Sequence, residues 1–158
     1  MAAYKYSVKI GEKDAAAQSH DSDASYKDLG EICRALRGKK IPDARKTLEE
    51  AIAMKRAIPY VRHAKRCGAR SELRGQKGRY PKKECRLVRS LLENAVANAK
   101  HKGLDEAKLA VTHAAAYKQN EFPRYRRTWA GSNTLGYGKQ AVWGNYMTAR
   151  VEIVVSEK

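Results

Sequence analysis

The chain has 158 residues, and 33 Lys and Arg against 17 Asp and Glu give it a formal net charge of +16. A chain of this length is predicted to form one domain, residues 1–158, with enough buried surface for a real hydrophobic core. The charge predicts a polyanionic partner. Because no signal peptide is recognised and no apolar run approaches the roughly 18 residues of a membrane span, we expect a cytoplasmic protein with no membrane partner.

The first third of the chain shows signals for one strand and two helices. Apolar and polar residues alternate over residues 4–10, which predicts a half-buried strand, whereas the polar residues 11–22 predict a loop. Ser25 is predicted to cap a first helix that ends at Gly38. A second helix is predicted to open at Pro42, because proline is favoured at the first helical position.

The rest of the chain predicts an arm, a long helix and a hairpin. Helical periodicity fails over residues 54–80, which indicates an extended basic arm or loop. The longest helix is predicted to start at Pro81 and to end at Gly103. A strand beginning at Leu109 and its returning partner then flank a long β-hairpin, residues 117–150. The whole predicts an α+β domain with three helices on a three-stranded, mainly antiparallel sheet, from which the hairpin protrudes.

The excess charge lies in two segments. Residues 54–90 carry thirteen basic and two acidic residues, a net +11, and residues 117–150 carry six basic and one acidic residue, a net +5. Because Arg forms forked hydrogen bonds to phosphate and Lys supplies a point charge, both segments predict nucleic-acid contact. The alternative is that these residues form a solvated charged face, but such faces usually carry both positive and negative side chains. The predicted RNA-binding residues are Arg62, Arg66, Arg70, Arg74, Lys77, Arg79, Lys82, Lys83, Arg86, Arg124, Arg126, Arg127, Lys139 and Arg150.

Aromatic rings alternate with cations on the outgoing side of the hairpin, where Tyr125 and Trp129 lie near three arginines. Two interpretations stay open. The rings could stack on unpaired RNA bases, or they could pack across the strands and stiffen the hairpin.

No metal site, cofactor or catalytic residue is predicted. The cysteines Cys33, Cys67 and Cys85 are odd in number and have no paired spacing, which indicates reduced thiols. A zinc site built from them and His63 would lack the ligand spacing of structural zinc sites. An enzyme acting on nucleic acid would need such a site or a catalytic role for His113. Because the sequence shows no arrangement of a nucleophile with a base, the chain is predicted not to be an enzyme.

Three stretches resemble large-subunit ribosomal protein twenty-two in its archaeal and eukaryotic form. They are SYKDLGEICRALRGKKIPDARKTLEEAI at 25–52, GRYP at 78–81 and LLENAVANAKHKGLD at 91–105. The resemblance implies a structural constituent of the large ribosomal subunit in the cytoplasm. Its body would bind ribosomal RNA beside neighbouring large-subunit proteins, and its hairpin would line the nascent-peptide exit tunnel. The protein would not form a homo-oligomer. The alternative is an RNA-binding protein outside the ribosome that uses the same arm and hairpin.

The hairpin matches the family and then departs from it. Arg124, Arg126 and Arg127 match the family's basic run, and Gly131 corresponds to its tip glycine, but Ser132 replaces the Arg that usually follows. The resemblance implies that the tip lines the tunnel next to the nascent polypeptide. The predicted tip residues are Trp129, Gly131, Ser132, Asn133, Thr134, Leu135, Gly136 and Tyr137.

Overall fold

The computed structural model describes residues 5–122 and 145–157. Its helices and strands, in chain order, are β1 (Asp14–Ser22), α1 (Tyr26–Leu36), α2 (Ile41–Ile52), β2 (Ile58–Pro59), β3 (Gly78–Arg79), α3 (Lys82–His101), β4 (Leu109–Phe122) and β5 (Tyr146–Glu157). Single 3₁₀ turns lie at Ser71–Leu73 and Glu106–Lys108. Three helices and an antiparallel three-stranded sheet confirm the predicted α+β class.

The sheet is organised around β5, which pairs with β1 on one side and with β4 on the other, both antiparallel. The alternating residues Ala149, Val151, Ile153 and Val155 of β5 are fully buried, as the period-two pattern predicts. The β4–β5 pairing continues outward as far as Phe122 and Tyr146. The described strands therefore form the stem of the predicted hairpin.

Local signals in the sequence set the ends of the helices, and the helices then pack on the sheet. The Ser25 hydroxyl caps α1 by accepting the Asp28 N–H at 3.4 Å, and both Gly38 and Gly103 adopt φ +79° just beyond a helix end. Helix α1 packs against β4, α3 packs against β1 and β5, and α2 packs against α3. The predicted start of α2 is displaced by one residue, since Ile41 precedes Pro42 in the helix.

The predicted first strand is wrong. Residues 5–10 are not in a strand, and Val8 and Ile10 are 42% and 39% exposed, whereas residues 14–22, predicted as a loop, form β1. Ala15 and Ala17 supply the buried face of β1. Alanine is depleted in strands generally, so this alternation is a weaker signal than the one formed by larger residues upstream. Packing against α3 makes the small side chains suitable here.

The N-terminal segment is instead tied to a buried acid on the central strand. Glu152 is completely buried and accepts hydrogen bonds from the hydroxyl and the N–H of Ser7, the latter at 3.3 Å. His113 Nε2 lies 3.0 Å from the same carboxyl group, and the Tyr117 hydroxyl donates to it at 3.3 Å. Burial by itself raises the pKa of Glu152, but the bonds from Ser7 and His113 outweigh burial and lower the pKa below its ordinary value.

The lowered pKa of Glu152 sets the sign of a pH dependence. A depressed carboxyl pKa contributes stability above the unfolded-state pKa, near 4.3, and this contribution is lost as the pH falls through the folded-state pKa. We expect Glu152→Gln to lower the free energy of unfolding by about 1–3 kcal/mol at pH 7 and by clearly less at pH 3. Urea unfolding followed by circular dichroism measures both values. The exposed Glu12→Gln is the control, and an equal loss at the two pH values would contradict the assignment.

Candidate nucleic-acid interface

The basic arm, residues 54–80, folds back on itself as a compact loop rather than extending away from the body. Its two ends pair as β2 and β3, and an isolated bridge joins Ala69 to Lys77 in its middle. Tyr60 and Leu73 are buried beneath it. Of the predicted extended arm or loop, the structure therefore forms the loop, and its backbone has a defined position on the body.

Two acids on α1 hold the arm in place. The Glu31 carboxyl group is 1% exposed and accepts the N–H groups of Val61 at 3.2 Å and His63 at 2.8 Å. One turn earlier, Asp28 accepts the hydroxyl of Tyr60 at 2.8 Å. Residues three apart lie on the same helix face, so the two acids act together. Burial, followed by the bond to Asp28, raises the pKa of Tyr60 and keeps the phenol protonated as a donor.

This docking uses backbone and phenol groups and therefore neutralises none of the arm's positive charges. Within the described ranges, no ion pair includes a Lys or Arg of residues 54–80. Of the predicted RNA-binding residues, the exposed ones are Arg62, Arg66, Arg74, Lys77, Arg79, Lys83 and Arg86, and the half-buried ones are Arg70, Lys82 and Arg150. The arm thus presents unneutralised cations on a fixed backbone.

Lys83, on α3, has an acidic partner. Its ammonium group lies 2.6 Å from a carboxylate oxygen of Asp23, and this bond raises the pKa of Lys83. Both side chains are largely exposed, so the pair is a weak surface interaction that a stronger anion could replace.

Two arginines of the arm are oriented by rings and carbonyls. Arg70 donates to the Gly78 carbonyl at 3.2 Å, and its guanidinium lies 5.1 Å from the ring centre of Tyr80. Arg79 lies 5.8 Å from the ring centre of Tyr60. Neither contact neutralises the cation. The two guanidinium groups are therefore held in position with their charge intact.

A cavity of about 450 Å³ collects cations from separate parts of the chain. Lys27 reaches it from α1, Arg62 and Lys65 from the arm, and Arg79 from β3. Asp28 also lines the cavity, and its carboxyl group already holds the Tyr60 hydroxyl. The sequence-based prediction included Arg62 and Arg79 but omitted Lys27 and Lys65 from the site. Only docking of the arm on α1 brings Lys27 to this surface.

Gly78 explains why the two ends of the arm approach so closely. A Cβ atom at this position would lie 2.6 Å from Leu73 Cδ1 and 2.8 Å from the carbonyl oxygen of Ile58. The pairing of β2 with β3 therefore needs a residue without a side chain at this point. This requirement gives a physical reason for the glycine in the GRYP stretch.

The described part of the hairpin is its stem. Arg150 on β5 lies 4.7 Å from the ring centre of Tyr117 on β4, and the rings of Phe122 and Tyr146 are 6.0 Å apart at the outer end. The remaining predicted RNA contacts and the predicted tip lie outside the described residues and stay predictions. They are Arg124, Arg126, Arg127 and Lys139, and the tip residues Trp129, Gly131, Ser132, Asn133, Thr134, Leu135, Gly136 and Tyr137.

The three cysteines are buried or half-buried in the folded chain. Cys33 and Cys85 are buried, and burial raises the pKa of each thiol to about 12, while Cys67 is half-buried. Across residues 5–122 and 145–157, no three His, Cys, Asp or Glu side chains are grouped so that they could hold a metal ion. In the same ranges, no helix is long and apolar enough to cross a bilayer.

Comparison with known proteins adds an independent finding. The family model described as "Ribosomal protein L22p/L17e" matches residues 17–134. The protein named "Large ribosomal subunit protein uL22" in Archaeoglobus fulgidus is 45% identical over 123 residues, which cover 77% of this chain and 79% of the relative. The protein of the same name in Staphylothermus marinus is 35% identical over 158 residues, covering 98% and 96%, and that in Methanosphaera stadtmanae is 42% identical over 114 residues, covering 72% and 74%.

The anchoring role of Glu31 can be measured directly. Glu31→Ala leaves the N–H groups of Val61 and His63 without their acceptor, so we expect the free energy of unfolding to fall by about 2–3 kcal/mol. We also expect faster hydrogen exchange at those two amides, with Glu31→Gln intermediate because it keeps one acceptor oxygen. Arg34→Ala, on the exposed side of α1, is the control. Unchanged exchange at both amides in Glu31→Ala would show that the arm is held elsewhere.

The close approach at Gly78 provides a second test with a matched control. Gly78→Ala must displace Leu73 or the Ile58 backbone, so we expect a loss of about 1–3 kcal/mol in the free energy of unfolding. At Gly68 an added Cβ would meet no described atom within 4 Å, and Gly68→Ala should change that free energy by less than about 0.5 kcal/mol. Urea titration of both variants decides the matter, and equal losses would exclude a steric role for position 78.

Proposed function

Because the chain belongs to the ribosomal protein L22p/L17e family, we propose that its basic arm binds large-subunit ribosomal RNA and that its hairpin extends along the nascent-peptide exit tunnel. The predicted resemblance is confirmed, and the chain is a structural protein of the large ribosomal subunit rather than an enzyme. The observation that carries the proposal is the fixed arm, whose cations have no carboxylate partner among the described residues.

The arm acts by neutralising RNA phosphates at a surface that is already folded before the RNA binds. Phosphate-rich RNA helices repel one another, and a row of Lys and Arg between them lowers that repulsion. Because α1 already fixes the arm's backbone through Glu31 and Asp28, less conformational entropy is lost when RNA binds than for an unanchored chain. The arm therefore favours one packing of the RNA helices and stabilises their folding during assembly.

The stem supports the second part of the proposal. β4 and β5 are buried along their inner halves but lead to Phe122, which is 50% exposed. The two strands thus leave the helix-covered body while still paired. Under this proposal residues 123–144, which follow the stem in the chain, would carry the tip towards the nascent polypeptide. Ser132 in place of the family's Arg predicts fewer phosphate contacts at the tip than in relatives that keep that Arg.

The partners follow from this arrangement. The arm and the start of α3 face ribosomal RNA, neighbouring large-subunit proteins contact the rest of the body, and the chain acts as a single copy. Beyond its first turn, the α3 surface suits protein neighbours better than RNA where its cations are already paired. Lys100, for instance, lies 2.7 Å from Glu106.

The proposal predicts how RNA binding depends on salt. The full-length protein should bind large-subunit ribosomal RNA with an affinity that falls steeply with salt concentration. Arg62→Gln/Lys65→Gln should reduce the slope of log K against log salt by about 1.5–2, because each lost phosphate contact removes roughly one unit or slightly less. Lys100→Gln, which removes a paired cation, is the control and should leave the slope unchanged. A flat salt response of the unaltered protein would overturn the proposal.

Sedimentation of cell extract separates the ribosomal role from the alternative of an RNA-binding protein outside the ribosome. Co-migration with large subunits through a high-salt wash supports the proposed function. Slowly sedimenting protein, with RNA binding retained, would support the alternative.

A further inference from the structure

A second cavity, of about 390 Å³, lies between the arm, the end of α1 and α2. It shares no lining residue with the cavity at Arg62. The volume falls in the range of sites that hold small organic ligands. None of the contacts described above accounts for it.

One wall of this cavity is apolar. Ala57 and Leu73 are buried, and Ala35 and Pro59 are half-buried around it. A surface built from a proline ring and short aliphatic side chains can cover the flat face of an aromatic base. A hydrated ion alone would leave this wall without a partner.

The same cavity is also lined by three positively charged residues, Lys39, Arg56 and Arg74. Lys39 is half-buried and donates to the Thr47 hydroxyl at 2.7 Å. Burial, and then the charge of Arg56, lowers the pKa of Lys39, although Asp43 and Glu50 act in the opposite direction. In the described part of the chain, none of the three cations forms an ion pair. An anion placed here would stabilise all three.

The acid that lines the cavity is already engaged. Glu72 accepts the hydroxyl of Tyr80 and, at 3.4 Å, that of Ser71, and the Tyr80 bond is the first cause of its lowered pKa. Next to it, Arg74 has φ +55° and Gly75 has φ +81°. A left-handed backbone is uncommon for arginine and costs energy, which is often a sign of a functional position.

We propose that this cavity binds one unpaired nucleotide of RNA, with the base on the apolar wall and the phosphate at Lys39, Arg56 and Arg74. This inference rests on the proposed function and adds a specific contact to it. Unpaired bases that leave their stack are the part of RNA that proteins read individually. The cavity would then recognise a single-stranded bulge or loop, whereas the other exposed cations of the arm contact phosphates of any sequence.

The test uses the full-length protein and adenosine 5′-monophosphate as the probe, with ribose 5-phosphate and inorganic phosphate alongside. We expect the mononucleotide to shift the amide NMR signals of Ala35, Ala57 and Leu73 and to bind about tenfold more tightly than ribose 5-phosphate. Lys39→Gln/Arg74→Gln should abolish binding of all three probes. The exposed Lys46→Gln is the matched control. Equal affinity for the mononucleotide and inorganic phosphate, or no shift at these amides, would overturn the proposal.

A second variant separates the apolar wall from the charges. Ala35→Leu narrows the cavity and leaves the cations in place, so it should remove the preference for the mononucleotide while phosphate binding stays. The thermal midpoint of each variant checks its fold, and the exposed Arg56→Gln repeats the charge test if the double variant is unstable. Displacement of the mononucleotide by an acidic peptide at equal concentration would instead assign the cavity to a protein neighbour and overturn the RNA proposal.

Failure of this inference can be told from failure of the proposed function. If Lys39→Gln/Arg74→Gln weakens binding to RNA with an unpaired bulge about tenfold more than it weakens binding to a fully paired duplex, the inference holds. If bulged and paired RNA lose affinity equally while the salt slope stays steep, the nucleotide site is wrong and the proposed function stands. A flat salt slope in the unaltered protein would remove both.

Discussion

The carboxyl group of Glu31 is the contact on which the arrangement of the basic surface depends. It binds backbone N–H groups of the arm rather than guanidinium or ammonium groups. Had α1 held the arm through side-chain ion pairs, the same docking would have consumed the charge needed for a polyanion. Asp28 follows the same rule by accepting a phenol. A strongly basic segment can therefore be folded before binding and still keep its net charge.

The second organising feature is the continuity of β5. The same strand that buries Ile153 between β1 and β4 runs outward to Tyr146 at the end of the stem. The orientation of the stem is therefore set by the core, through a strand with a partner on each edge. Glu152 ties the N-terminal segment to this strand through Ser7, whose two hydrogen bonds add to the contacts that His113 and Tyr117 make with the same buried carboxyl group.

The two cavities beside the arm differ in the chemistry of the residues that line them. The cavity around Arg62 is lined largely by cations and suits phosphate, which every nucleotide carries. The cavity around Lys39 joins cations to an apolar wall and suits a base as well as its phosphate. Gly78 connects them structurally, because the close pairing of β2 with β3 shapes the loop that reaches both. In the proposed nucleotide site, the charges would supply affinity and the apolar wall would add selectivity for unpaired RNA.

The sequence by itself determined the elements whose signals are local. These include the cap at Ser25, the helix stop at Gly103 and the buried alternation along β5, together with the location of the excess charge. Only the tertiary structure decided that residues 14–22 rather than residues 4–10 supply the first strand, because the small side chains of β1 gain their value from α3. It also decided the docking of the arm and the grouping of Lys27 with Arg62. Those contacts join residues about thirty or more positions apart, and no short-range pattern encodes such a distance.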